Sequence, residues 1–228
     1  MNLHNFVELC MCPAPLGNEY AAKQLIRSML PNGLEISEDV AGSAIVRKPG
    51  EKPGLTFFAS LSQPVVLVTG KKADGAWELQ PLGTGKTLEP MNGWRVMDSG
   101  GAHAKLEVKD GELRLTEDKG VQIGSLLTRQ PDWTQDALSV SCAGIEDRVG
   151  CWLLTELLRE MPDVKAEITC IFLAQEQHCT KVAELAMNET DAAVAIRLAS
   201  AKVNDINLTG APVNAGGGPV LKLRERYV

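Results

Sequence analysis

An α/β fold, a mixed and mostly parallel sheet flanked by helices and carrying a small β-rich insert, is predicted by three observations. After residue 140, helical and strand patterns alternate at crossover spacing. Continuous apolar runs at 54–61, 64–70 and 166–174 have the density of strands buried on both faces. Between about 71 and 135, Gly, Asp, Lys and Pro punctuate short alternating pieces, which is β-rich patterning with tight turns.

Each element follows from its residues. Over 19–30, Ala22, Leu25, Ile26 and Met29 recur at three and four residues, which predicts an amphipathic helix with Asn18 as N-cap. Residues 42–50 read as a short strand closed by a turn. In LEVKDGELRL (106–115), two alternating runs flank Asp110-Gly111, a strong hairpin signal. Over 147–161, Val149, Leu153, Leu154, Leu157, Leu158 and Met161 are expected inside, with Glu156, Arg159 and Glu160 outside. Residues 166–174 predict a buried strand, 181–188 a helix and 191–199 another buried strand. The tail is loop-rich, with a final short strand.

Composition bounds the function. The chain has 228 residues, 44% hydrophobic and 23% charged, enough apolar surface to exclude disorder as the main state. Its formal net charge is -6 and its aromatic content 4%, which argue against a nucleic-acid surface, a base-stacking platform and a polybasic membrane anchor. No apolar stretch approaches the ~18 residues of a membrane span. MNLHNFVELCMCPAP lacks the basic-then-apolar pattern of a secretory leader, so the expected location is cytoplasmic and the six cysteines are expected as reduced, mostly buried thiols.

Several local patterns carry no chemistry of their own. Gly83-Thr84-Gly85-Lys86-Thr87 has Gln80 where a phosphate-binding loop needs glycine, and Glu89-Pro90 follows where a helix should open. Gly216-Gly217-Gly218 precedes no helix. Cys10 and Cys12 form no zinc-finger spacing, and His4, His103 and His178 form no metal-ligand pair. The carboxylates are more suggestive. Glu146-Asp147-Arg148 opens a helix, and Gln175-Glu176-Gln177-His178 follows a buried strand, where open α/β sheets bind ligands.

The order of pieces resembles the glutamyl-aminopeptidase family, the tetrahedral TET and cellulase M enzymes. Pro13-Ala14-Pro15-Leu16-Gly17-Asn18-Glu19 is similar to its P-x-P-x-G-x-E turn, and Asp39-Val40-Ala41-Gly42-Ser43 to its D-x-x-G-N turn. Gly144-Ile145-Glu146-Asp147-Arg148-Val149-Gly150-Cys151 is close to A-L-D-D-R-x-G-C. Ile171 to Gln177 resembles the strand ending in Q-E-E, and Gly217-Gly218-Pro219-Val220 resembles G-x-G-P-x-I. The resemblance implies an aminopeptidase-like α/β domain over 1–70 and 136–228, C-terminally truncated, with 71–135 a shortened insert of the kind that carries subunit contacts.

It also implies a two-zinc site of two histidines and three acidic residues, and here the chain departs. Ser60 stands at the first histidine position and Ser62 at its orienting aspartate. Glu146 takes the bridging aspartate position. Glu176 keeps the general-base position, Gln177 replaces a glutamate ligand and Arg197 an aspartate ligand. Arg224-Glu225-Arg226-Tyr227-Val228 faintly echoes the context of the last histidine. Zinc takes about four imidazole, thiolate or carboxylate ligands, and of these positions only Glu146 offers one. The expectation is therefore a non-catalytic relative, with no cofactor, that binds a protein partner, a subunit or a small ligand or peptide in the former cleft as a homo-oligomer or a complex. Arg197 is expected to pair with Glu146 or Glu176 and to balance carboxylates that metal once balanced.

Three alternatives stay open from the residues. One is a metal-dependent hydrolase with a rebuilt single-metal site of Glu146, Asp147, Glu176 and His178, taking zinc. Another is a structural assembly subunit acting through its insert and an exposed sheet edge. The last is a cysteine hydrolase using Cys142, Cys151 or Cys179.

Overall fold

The structure, a computed structural model, describes residues 3–83, 88–161, 164–179, 181–201 and 216–220. The chain opens with helix α1 (Leu3–Met11), whose Phe6, Leu9 and Cys10 are buried. The Pro-Ala-Pro turn leads into α2 (Tyr20–Met29), which buries Ala22, Lys23 and Ile26 on one face. Glu19 occupies the N-cap position of α2, one residue past the expected Asn18, and makes no capping bond.

Strands β1 (Glu35–Glu38), β2 (Ala44–Lys48) and β3 (Glu51–Ser60) follow. The chain then leaves this sheet for a second, fully antiparallel one. Its strands are β4 (Val65–Lys71), β5 (Trp77–Leu82), β6 (Arg95–Met97), β7 (His103–Lys109), β8 (Glu112–Lys119) and β9 (Leu126–Arg129). They lie in the order β5-β4-β9-β6-β7-β8. By pairing, this sheet opens at Val65, whereas the change of sequence pattern comes at about 71. The apolar run of β4 packs into the second sheet's own core with Val96, Leu106 and Leu127. The β7–β8 hairpin turns at Asp110-Gly111, both at positive φ (52° and 76°), as the sequence predicts.

A short hairpin of β10 (Thr134–Gln135) and β11 (Val140–Ser141) leads to helix α3 (Ile145–Glu160). Then come β12 (Ala166–Leu173), α4 (Lys181–Met187) and β13 (Ala192–Arg197). The first sheet has the order β1-β2-β12-β3-β13. β12 and β13 both run parallel to β3, and β2 and β1 complete the sheet antiparallel, so the sheet is mixed around a parallel centre.

Alternation along the strands divides the packing. Val46, Ala59, Ile168, Cys170 and Phe172 meet Leu9, Ile26, Leu154 and Leu158 of the first three helices. Ile45, Ile171 and Leu173 meet Val182 and Ala186 of α4 on the other face. Each fully buried Leu, Ile or Phe contributes about 1.5–3 kcal/mol.

Two expectations are corrected. Glu156, expected outside, is 5% exposed and takes an ion pair from Arg159 at 3.0 Å, so a carboxylate on the packed face is tolerated by pairing. β13, expected buried, is an edge strand with Val194 and Ile196 partly exposed, because no described strand lies beyond it. Residues 84–87 of the Gly-Thr-Gly-Lys-Thr segment, and the final strand expected within 221–228, lie outside the described residues.

α3 approaches the sheet at Gly150, where a Cβ would lie 2.8 Å from Leu198 O and 2.9 Å from Ala59 Cβ. Gly150→Ala is expected to lower stability by about 1–3 kcal/mol through overpacking. The urea midpoint measures this, and an unchanged midpoint would mean the contact relaxes freely.

Candidate functional site

Because β3, β12 and β13 are parallel, their carboxyl ends lie at one edge of the sheet, where Ser60 is level with Leu173 and Arg197 with Phe58. The N-terminus of α3 reaches the same edge. Its N-cap, Gly144, has φ +72°, and a Cβ there would fall 2.2 Å from Gln63 Nε2, so glycine meets both the backbone and the space requirement. Gln63 is itself buried and accepts the Ala14 N–H at 3.1 Å.

A buried polar network fixes the turn after β12. Glu19 Oε1 accepts from Ser62 Oγ (2.5 Å), Gly17 N (2.9 Å) and Gln175 N (3.2 Å). Gln175 N also donates to Ser62 Oγ at 2.6 Å, and its side chain donates to Ala41 O at 2.9 Å. These bonds hold Gln175 at φ +57°, a left-handed conformation uncommon outside glycine. The sequence places Glu19 in a turn motif and at the start of a helix, without a role at the site. The available signal was its place directly before a helix, two residues after Gly17.

The turn presents Glu176 and Gln177 to the incoming groups. Arg197 Nη2 lies 2.7 Å from Glu176 Oε1, with the side chains 25% and 10% exposed. The pairing expected of Arg197 is thus made with Glu176. Gln177 Nε2 donates to Asp147 Oδ1 at 2.9 Å. Glu176 Oε2 and Asp147 Oδ2 are buried without a hydrogen bond. Gly83, at the end of β5, borders the same turn: a Cβ there would lie 2.9 Å from Gln177 Cβ. The second sheet therefore forms one wall of the cleft.

Arg148, fully buried, donates to Leu61 O (2.6 Å) and Cys12 O (3.2 Å). Cys151 donates to Ser60 O at 3.1 Å, and burial pushes its thiol up to about 12, which leaves no thiolate for nucleophilic attack at neutral pH. Cys179 is exposed and Cys142 buried. Ser60 Oγ is buried with no hydrogen-bond partner.

The donor set does not fit a zinc pair. At the positions the resemblance marks, Ser60 offers a hydroxyl, Gln177 an amide committed to Asp147, and Arg197 a cation committed to Glu176. Of Glu146, Asp147, Glu176 and His178, the three carboxylates share this edge, with Asp147 in electrostatic reach of both glutamates. Glu146 and His178 are exposed, and no group of three or more His, Cys, Asp or Glu among the described residues is placed to hold a metal ion.

Burial raises the Asp147 carboxyl from 3.8 to about 7. Arg148 opposes the shift, Glu146 and Glu176 reinforce it, and the Gln177 bond opposes it. Since the folded state holds this proton more tightly than the unfolded one, stability from this group is greatest below about pH 4 and falls as pH rises towards 7. Asp147→Asn keeps the acceptor for Gln177 and removes the charge. Its stability relative to the parent chain is expected to rise by up to a few kcal/mol between about pH 4 and 8. Urea unfolding at several pH values measures this, and a difference that does not change with pH would refute it.

A sequence model of the M42 glutamyl aminopeptidase family matches residues 108–228, more than half of the chain. Comparison with curated proteins gives no match. Among solved structures, aminopeptidase APDkam598 from the archaeon Desulfurococcus kamchatkensis superposes with a TM-score of 0.78 at 16% identity, over 91% of this chain and 65% of its own. A TET aminopeptidase from the marine sediment archaeon Thaumarchaeota archaeon SCGC AB-539-E09 gives 0.79 at 16% identity, over 90% and 68%. The Pyrococcus horikoshii TET1 peptidase, which can assemble into a tetrahedron or a large octahedral shell, gives 0.74 at 16% identity, over 91% and 72%. The chain thus spans about two thirds of the length of these structures, and likeness at this identity establishes the fold. With the family model covering the site from α3 onward, the chain belongs to the M42 glutamyl aminopeptidase family.

Proposed function

We propose that this chain is a non-catalytic member of the family that uses the former active-site cleft to bind a protein partner, a further subunit or a small ligand. The observation that carries the reading is the 2.7 Å pair between Arg197 and Glu176. Glu176 stands at the general-base position, and a base must be free to take a proton from water. Here its oxygen is neutralised by a guanidinium that cannot give up its charge. The hydroxyl of Ser60 and the amide of Gln177 offer no metal to lower the pKa of a water. What remains is a polar surface where the turn after β12, the end of β13 and the start of α3 meet the second sheet, which supports a recognition role. Assembly with copies of itself is part of the proposal, and the shells formed by the Pyrococcus horikoshii TET1 peptidase support it by analogy.

The chain purified without chelator is expected to carry far less than one zinc, cobalt or manganese per molecule by elemental analysis. It is also expected to turn over neither leucine- nor glutamate-para-nitroanilide, with or without added metal. Stoichiometric metal together with turnover would overturn the reading and favour a metal-dependent hydrolase.

A further inference from the structure

The cleft gathers acidic groups around few cations. Glu176 is 10% exposed in its side chain and has one buried oxygen without a hydrogen bond. Asp147 is 8% exposed, also with one oxygen unbonded. Glu146 lies in the same first turn of α3. Arg148 is close by, yet two of its donors are spent on the carbonyls of Leu61 and Cys12. The ion pair that reaches Glu176 comes from Arg197, at the last residue of β13.

We infer that the guanidinium of Arg197 is a built-in cation that replaces metal charge at this sheet edge, binding the end of β13 to the turn after β12 and shutting divalent ions out. The inference rests on the metal-free reading above. Three consequences test it, and the last is one an ordinary ion pair would not give. Without Arg197, Glu176 is left as a buried, uncompensated carboxylate. Removing that carboxylate as well relieves the defect, because a neutral amide needs no counter-charge. A hard divalent cation, which prefers carboxylate oxygens, replaces the missing charge.

The test is thermal unfolding of the full chain and two variants, each with and without millimolar manganese chloride. Arg197→Ala is expected to melt roughly 5–10 °C below the parent chain. Adding Glu176→Gln to Arg197→Ala is expected to recover at least half of that loss. Manganese is expected to raise the melting point of Arg197→Ala by a few degrees, through binding to the folded state alone. It should leave the parent chain and the double variant unmoved. If Arg197→Ala fails to fold, a folded double variant supports the inference and an unfolded one overturns it. The inference also fails if Arg197→Ala melts with the parent, if Glu176→Gln lowers it further, or if manganese moves all three alike or none. Metal found in the parent chain together with turnover would instead refute the non-catalytic reading, so the two failures are distinguishable.

Discussion

The site depends first on a buried arginine. Arg148 is fully buried, and a guanidinium out of water is costly unless its donors are used. Its bonds to Leu61 O and Cys12 O join three pieces of chain: the first turn of α3, the residue after β3 and the end of α1. These carbonyls lie where strand and helix have stopped, and they need donors from outside their own elements. Two residues on, Gly150 lets the helix axis approach Ala59 and Leu198, and Cys151 bonds to Ser60 O. The Glu-Asp-Arg-Val-Gly-Cys sequence thus docks the start of α3 against the sheet. It needs no metal to explain why an arginine, a glycine and a cysteine stand in those places.

The two serines at the end of β3 settle differently. Ser62 is absorbed: its hydroxyl donates to Glu19 and accepts from Gln175, and the left-handed turn carrying Glu176 is built on it. Ser60 is not. Its Oγ is buried and makes no hydrogen bond, a cost of about 1–3 kcal/mol that nothing in its surroundings offsets. Position 62 therefore keeps a polar task within the fold. Position 60 pairs within the β3–β12 ladder and offers its backbone carbonyl to Cys151.

Much of the first sheet was legible because its strands are apolar runs bounded by turns, and the β7–β8 hairpin because Asp110-Gly111 supplies positive φ. β1 was not, since Glu35–Glu38 is polar and exposed on both faces, and pairing with β2 rather than burial makes it a strand. The allegiance of β4 was hidden for the opposite reason: a continuous apolar run fits either sheet. Glu156 was misplaced because helical periodicity reads polarity, whereas Arg159 supplies a local partner that lets a carboxylate go inside. At the site, pairing of Arg197 with an acid was readable only through the resemblance, which sets a guanidinium at a ligand position among carboxylates. A metal cluster around His178 was not readable either way, because adjacency in sequence says little about convergence after a left-handed residue. There the turn leaves His178 exposed while Gln177 reaches Asp147.

The balance of charge at the site is spread over several elements. Two largely buried carboxylates beside an exposed third cannot all ionise unopposed, and the fold answers each in a different way. Glu176 is met by a guanidinium. Asp147 is met by an amide and holds its proton up to about pH 7. Glu146 stays exposed, at a helix N-terminus whose dipole favours negative charge. Each answer comes from a different element: β13, the turn after β12, and α3. The cleft is therefore held by the same contacts that neutralise it. The second sheet comes nearest the site at Gly83, beside Gln177.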